Sequence, residues 1–183
     1  MRKNLLILSL LMSVLMIGVV SASTLFEDDF EADMSQWDPS SPTSDVYLSD
    51  SLTSGDYYLV VKDDKSAIAS IDTTGYENIQ FSYDRRTYST ESGDYLRIYW
   101  RVGNSGSWTL LESVASSSWS VETWPLSGAE DESEIQIRFK LDNGNHDYGL
   151  VDDVEVTGDS IGEQSCDITV SPPEAGEYYN DDI

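Results

Sequence analysis

The segments Tyr95–Val102 (YLRIYWRV) and Ile135–Leu141 (IQIRFKL) alternate apolar and polar residues. A period of two sends every second side chain to one face of an extended strand, whereas a helical stripe recurs about every 3.6 residues. The same reading extends to Tyr57–Lys62 (YYLVVK), Ala67–Ile71, Ile79–Arg86 (IQFSYDRR), Trp108–Val114, Val121–Leu126 and Gly149–Thr157 (GLVDDVEVT). Turn residues separate these runs, among them Gly103-Asn104-Ser105-Gly106 and Asp142-Asn143-Gly144-Asn145. Helix signals are absent. The pattern predicts an all-β chain of eight or nine strands, arranged as a two-sheet antiparallel β-sandwich of the jelly-roll kind.

Alternation also assigns faces. Leu96, Ile98, Trp100 and Val102 oppose Tyr95, Arg97, Tyr99 and Arg101, while Ile135, Ile137, Phe139 and Leu141 oppose Gln136, Arg138 and Lys140. Phe81 joins the apolar set. If its strand shares the same sheet, the outer face collects Arg86, Arg97, Arg101, Arg138 and Lys140, with Tyr95 and Tyr99 among them. One reading is a solvated face whose arginines pair with Asp84, Glu112 or Glu122. The other is a ligand platform, because aromatic rings stack and guanidinium forks donate in pairs, as sugars or acidic glycans require. The candidate ligand residues are Arg86, Tyr95, Arg97, Tyr99, Arg101 and Arg138.

The chain's ends differ in composition from its middle. Arg2 and Lys3 precede an apolar run from Leu5 to Val20, and Val20-Ser21-Ala22 supplies the small residues of a cleavage site. Residues 1–22 are therefore expected to be a secretory signal. The apolar run falls short of the about 20 residues that span a bilayer, so no membrane insertion is expected after cleavage, and the protein is placed outside the cell or on its surface. The whole chain carries 10 Lys+Arg against 34 Asp+Glu, a net charge of −24, and loss of Arg2 and Lys3 takes this to −26. Such a field excludes nucleic acid as a partner and attracts divalent cations and basic partners. Cys166, the single cysteine, cannot form an internal disulfide. The expected organisation is a sandwich over 23–159, a linker over 160–165, and over 166–183 either a floppy acidic tail or the start of a second β domain that stops short.

No catalytic motif stands out. His146 is the only histidine and lies in a polar turn, and neither G-x-S-x-G nor H-E-x-x-H occurs. A non-enzyme is expected.

Several motifs in order, FEDDFEADMSQW, IDTTGYENIQFSYDRRT, SGDYLRIYWRVGNSGSWTLLES, SWSVETWPLSG and IQIRFKLDNGNHDYGLVDDVEVTGD, resemble the jelly-roll accessory modules of secreted bacterial and archaeal proteins. That group is similar to MAM domains, cleaved-adhesin domains and galactose-binding-like or concanavalin-like carbohydrate modules. The segment after Cys166 resembles the opening of an immunoglobulin-like repeat. The resemblance implies that the first strand lies beside the last and that acids from both ends surround a structural Ca²⁺. The matching residues are Glu27, Asp29 and Glu31 with Asp152 and Asp153, of which alternation lets only one of the last two turn inward. Calcium is chemically apt, since it gathers about six to eight oxygens. The expected function is a non-catalytic binding or adhesion module of a larger secreted or surface protein, with carbohydrate or a surface protein as partner. A structural spacer, or an accessory domain of a hydrolase, are the alternatives.

Overall fold

The computed structural model describes residues 22–52, 56–142 and 146–162. Among them lie eleven strands and no helix: β1 (Ser23–Asp28), β2 (Trp37–Asp38), β3 (Val46–Ser49), β4 (Tyr58–Val61), β5 (Ser66–Ile71), β6 (Tyr76–Tyr88), β7 (Tyr95–Val102), β8 (Thr109–Val114), β9 (Ser120–Pro125), β10 (Ile135–Asp142) and β11 (Tyr148–Ser160). Every segment that alternated is a strand. The two-residue β2 and the four-residue β3 carry too few alternations to register in sequence, and the first strand, expected from the resemblance to lie beside the last, is β1 paired with β11.

The strands form two antiparallel sheets, a jelly-roll sandwich. Sheet A runs β3-β4-β11-β6-β9, with β1 also paired to β11, and sheet B runs β2-β5-β10-β7-β8. Leu96, Ile98, Ile135, Ile137, Phe139 and Leu141 of sheet B are fully buried against Leu59, Val61, Phe81, Val151 and Val156 of sheet A. Val102 departs from its expected inward set and is exposed.

β7 and β10 are hydrogen-bonded neighbours, as their shared pattern requires. β6 is not beside them. Phe81 does face the core, but from the opposite wall, because alternation reports that a residue points inward and not which sheet it points from. Arg86 is thereby separated from Arg97, Arg101 and Arg138. The arginine that pairs with Glu112 and Glu122 is Arg85, which points inward between the sheets.

The acidic opening is also reorganised. Glu27, Asp29 and Glu31 do not share one strand face, because β1 ends at Asp28 and Phe30 takes a positive φ of 57°. The carboxylates of Asp28, Asp29 and Asp33 each accept the backbone N–H two residues on, at 2.8, 3.2 and 2.7 Å. Asp28 further accepts the indole N–H of buried Trp37 at 2.7 Å. Burial raises its carboxyl above the ordinary range. Much of the negative run is thus turn-forming material that folds the corner over the core.

β11 is the central strand of sheet A. One side pairs with β6, and the other takes β4 at Gly149–Val151 and then β1 at Val154–Gly158. A bulge separates the two stretches, with Asp153 at φ 47°. Gly149 permits the close approach of the sheets, for a Cβ there would lie 2.7 Å from Leu96 Cδ1. Residues 1–21 of the expected signal, the Asn143–Asn145 part of the turn, residues 163–165 of the expected linker and the tail with Cys166 lie outside the described residues.

Candidate functional site

The outer face of sheet B carries the expected platform without Arg86. Arg97 pairs with Asp142, and Lys140 with Asp64 at 2.8 Å and Asp142 at 3.6 Å. Tyr95 lies opposite Asp142 in the β7–β10 register. Arg101 donates twice to Gln136 Oε1, at 2.9 and 2.6 Å, and once to the Gly106 carbonyl at 3.3 Å. Its guanidinium sits 4.2 Å from the centre of the Trp108 ring, which Arg138 also approaches at 4.1 Å; Arg138 lies 4.3 Å from Tyr99 as well. The ring faces on this platform are therefore already in contact with the protein's own cations.

The outer face of sheet A is different. Side chains on the outside of a sandwich ordinarily meet water, yet Tyr58, Val60 and Leu150 are at most 2% exposed. They are covered by overhanging aromatics: Tyr47, Trp119 and Tyr148 pack on this second apolar cluster. Trp119 reaches over from before β9 to meet Tyr58 edge-on at 5.9 Å, and Tyr88 and Tyr148 pair at 6.0 Å. The result is an open cleft of about 350 Å³. Val60 and Leu150 are at its floor, Tyr47, Tyr58, Tyr88 and Tyr148 around it, and Ser49 and Ser51 at one edge. No Asp, Glu, Lys, Arg or His side chain lines it. The Tyr58 hydroxyl is held by Ser51 Oγ at 3.1 Å and by the Leu52 N–H at 3.2 Å, which fixes the edge.

None of these cleft residues was a sequence-level candidate. The available signal was YYLVVK, whose continuous apolar run marks a strand buried on both faces rather than one. All four residues of β4 are buried.

At the β1–β11 edge, Glu27 stands opposite Glu155 and Asp28 opposite Val154, beside a depression of about 500 Å³ that Asp29 and Asp153 also line. Glu31 is elsewhere, accepting the Tyr57 N–H at 2.6 Å. Asp152 lies on the outer face of sheet A, directly across from Asp84. Among the described residues no group of three or more His, Cys, Asp or Glu side chains could hold a metal ion.

Burial, with Asp153, Asp56 and Asp84 nearby, pushes the Asp152 carboxyl up to about 7. A carboxyl raised in the folded state binds its proton more tightly there than in the unfolded chain, so stability falls as pH rises from about 4 through 7. The raised value is worth at most about 4 kcal/mol, and the half-exposed position discounts it to about 1–2 kcal/mol. Asp152→Asn is expected to raise the melting midpoint at pH 8 by about 3–6 °C and to leave it unchanged at pH 4, as read by calorimetry.

No family model and no curated protein matches this chain. Solved structures do. The CBM22-1 xylan-binding domain of Paenibacillus barcinonensis Xyn10C superposes with a TM-score of 0.56 at 13% identity, over 78% of this chain and 98% of that one. TmCBM61, solved with β-1,4-galactotriose, gives 0.55 at 14% over 75% and 99%. The K3 cleaved adhesin domain of the Lys-gingipain of Porphyromonas gingivalis gives 0.53 at 11% over 75% and 99%. At these identities the likeness establishes the jelly-roll fold alone.

Proposed function

We propose that this protein is a non-catalytic carbohydrate-binding module that takes neutral glycan chains in the tyrosine cleft of sheet A. One observation carries the reading: four tyrosines surround a cleft lined by no acidic or basic side chain, on a chain of net charge −24. Sugar rings present apolar C–H faces that stack on aromatics and hydroxyls that pair with phenols and serines, so a cleft of this make-up suits them. Its size lies at the lower end of about 300–1,000 Å³, the usual span of ligand sites. Neighbours of the same fold are named for xylan binding and for a bound galactotriose, which supports β-linked neutral polysaccharides as the class to test. The module would act outside the cell within a longer chain.

Affinity electrophoresis against xylan and β-1,4-galactan tests this. The wild-type chain is expected to be retarded, and Tyr88→Ala and Tyr148→Ala each to weaken binding about tenfold, equal to 1.4 kcal/mol. Tyr88 is 45% exposed, so its loss should leave the fold intact. Failure to bind any neutral polysaccharide would end the proposal.

Calcium between the strand ends is a separate proposal. The meeting of Glu27 and Asp28 with Asp153 and Glu155 favours it, and the lack of a ready-made ligand set among the described residues opposes it. A melting midpoint that falls with chelator supports it, and an unchanged midpoint removes it.

A further inference from the structure

We propose a second binding site on the opposite side of the sandwich, where Arg101 and Arg138 receive the carboxylates of an acidic polysaccharide beside Trp108. It is independent of the tyrosine cleft in position, residues and ligand charge.

The first ground is the state of the two arginines. The chain has 34 carboxylate side chains, and the neighbouring cations Arg97 and Lys140 both use them. Among the described residues Arg101 and Arg138 form no ion pair, although they approach one indole ring at 4.2 and 4.1 Å. Two like charges that share one ring repel each other and favour an anion beside them. Burial and the adjacent Arg101 pull Arg138 below the usual arginine range.

The second ground is how they are held. Arg101 is oriented by neutral acceptors, Gln136 Oε1 and the Gly106 carbonyl, so its direction is set while its charge remains uncompensated. Arg138 is pinned against Tyr99 and Trp108, and its buried Nε has no hydrogen-bond partner. Preorganised guanidiniums are the groups that recognise planar carboxylates, because little freedom is lost on contact.

The third ground points to a sugar chain. A depression of about 360 Å³ is lined by Arg101, Gln36, Asp38, Ser70 and Gln136, with Trp37 and Ile68. Gln136 and Ser70 bond to each other and to Glu134 at 2.9–3.0 Å, and their remaining hydrogen-bonding capacity, with the Gln36 amide, suits ring hydroxyls, which a uronic acid carries alongside its carboxylate and an acidic peptide does not. The chain's overall negative field works against any polyanion, but at 0.15 M salt charges beyond about 8 Å are largely screened and the local cations dominate.

The test uses the full chain with polygalacturonate and its fully methyl-esterified form, read by affinity electrophoresis at 0.15 M salt. Retardation by polygalacturonate that disappears on esterification is expected. Arg101→Gln and Arg138→Gln should each weaken it about tenfold with unchanged melting curves, equal to 1.4 kcal/mol. Should Arg138→Gln misfold, Arg138→Lys keeps the charge without the fork and is expected to weaken binding at least threefold. Tyr88→Ala and Tyr148→Ala should leave this binding unchanged, so failure here and failure of the neutral-glycan reading are told apart by probe and by residue. Equal retardation by the ester, folded Arg101→Gln and Arg138→Gln chains that bind as wild type, or binding of polyglutamate without polygalacturonate would overturn the proposal.

Discussion

Replacement of Glu112 by alanine is expected to lower the melting midpoint by about 10 °C, at about 3 °C per kcal/mol for a domain of this size. Arg85 projects from β6 into the space between the sheets, where its side chain is 9% exposed. Glu112 comes from β8 on the facing sheet and accepts both Arg85 Nε and Nη2, and its second oxygen accepts the Tyr83 hydroxyl at 3.1 Å. Glu122 contributes one further contact, at 2.8 Å. Alanine at 112 leaves a buried guanidinium half compensated and a phenol without its acceptor, a cost of about 3–4 kcal/mol. The pair is not itself a large source of stability, because both ions were taken out of water to form it. Arg85→Met combined with Glu112→Met is therefore expected to recover most of the lost midpoint. A fall of under 3 °C in the single variant would mean that the ion is better hydrated than its burial implies.

Phe139→Ala is expected to destabilise by about 3–5 kcal/mol, the range for deleting a fully buried aromatic ring. Phe139 is 0% exposed and its ring meets Trp37, Phe81 and Tyr83, at 5.7, 5.9 and 5.4 Å. It bridges the two sheets and the acidic corner, since Trp37 in turn touches Phe26 and Phe30. Phe139→Leu should cost less, about 1–2 kcal/mol, because much of the volume is kept. Urea unfolding measures both. A loss of the near-ultraviolet Trp37 signal in Phe139→Ala well before global unfolding would show the corner detaching first.

Alternation in YLRIYWRV and IQIRFKL was enough to place β7 and β10, their faces and the platform that joins Arg97, Tyr99, Arg101 and Arg138. It failed for Arg86, because an inward Phe81 looks the same from either wall and sheet membership is decided by contacts distant in sequence. The resemblance in turn did not foresee the acids after Asp28, where a left-handed Phe30 follows the end of the strand and the carboxylates of Asp29 and Asp33 accept turn N–H groups. The tyrosine cleft was hidden for another reason. Its rings come from β3, β4, β6 and β11, and only the overhang of Trp119 and the serine-bearing turn makes a cup of them. A pattern local to one strand carries no trace of such an assembly.

The position of β11 has a consequence for how this chain comes into being. Its partners β1, β4 and β6 are all synthesised first, yet within sheet A only β3–β4 and β6–β9 can pair before residues 148–160 arrive. Completion of the fold must wait for almost the whole domain to emerge, which makes its closing step slow and non-local. A chain stopped at residue 147 is expected to stay unfolded, and adding a peptide of 148–160 in trans should restore its protease resistance.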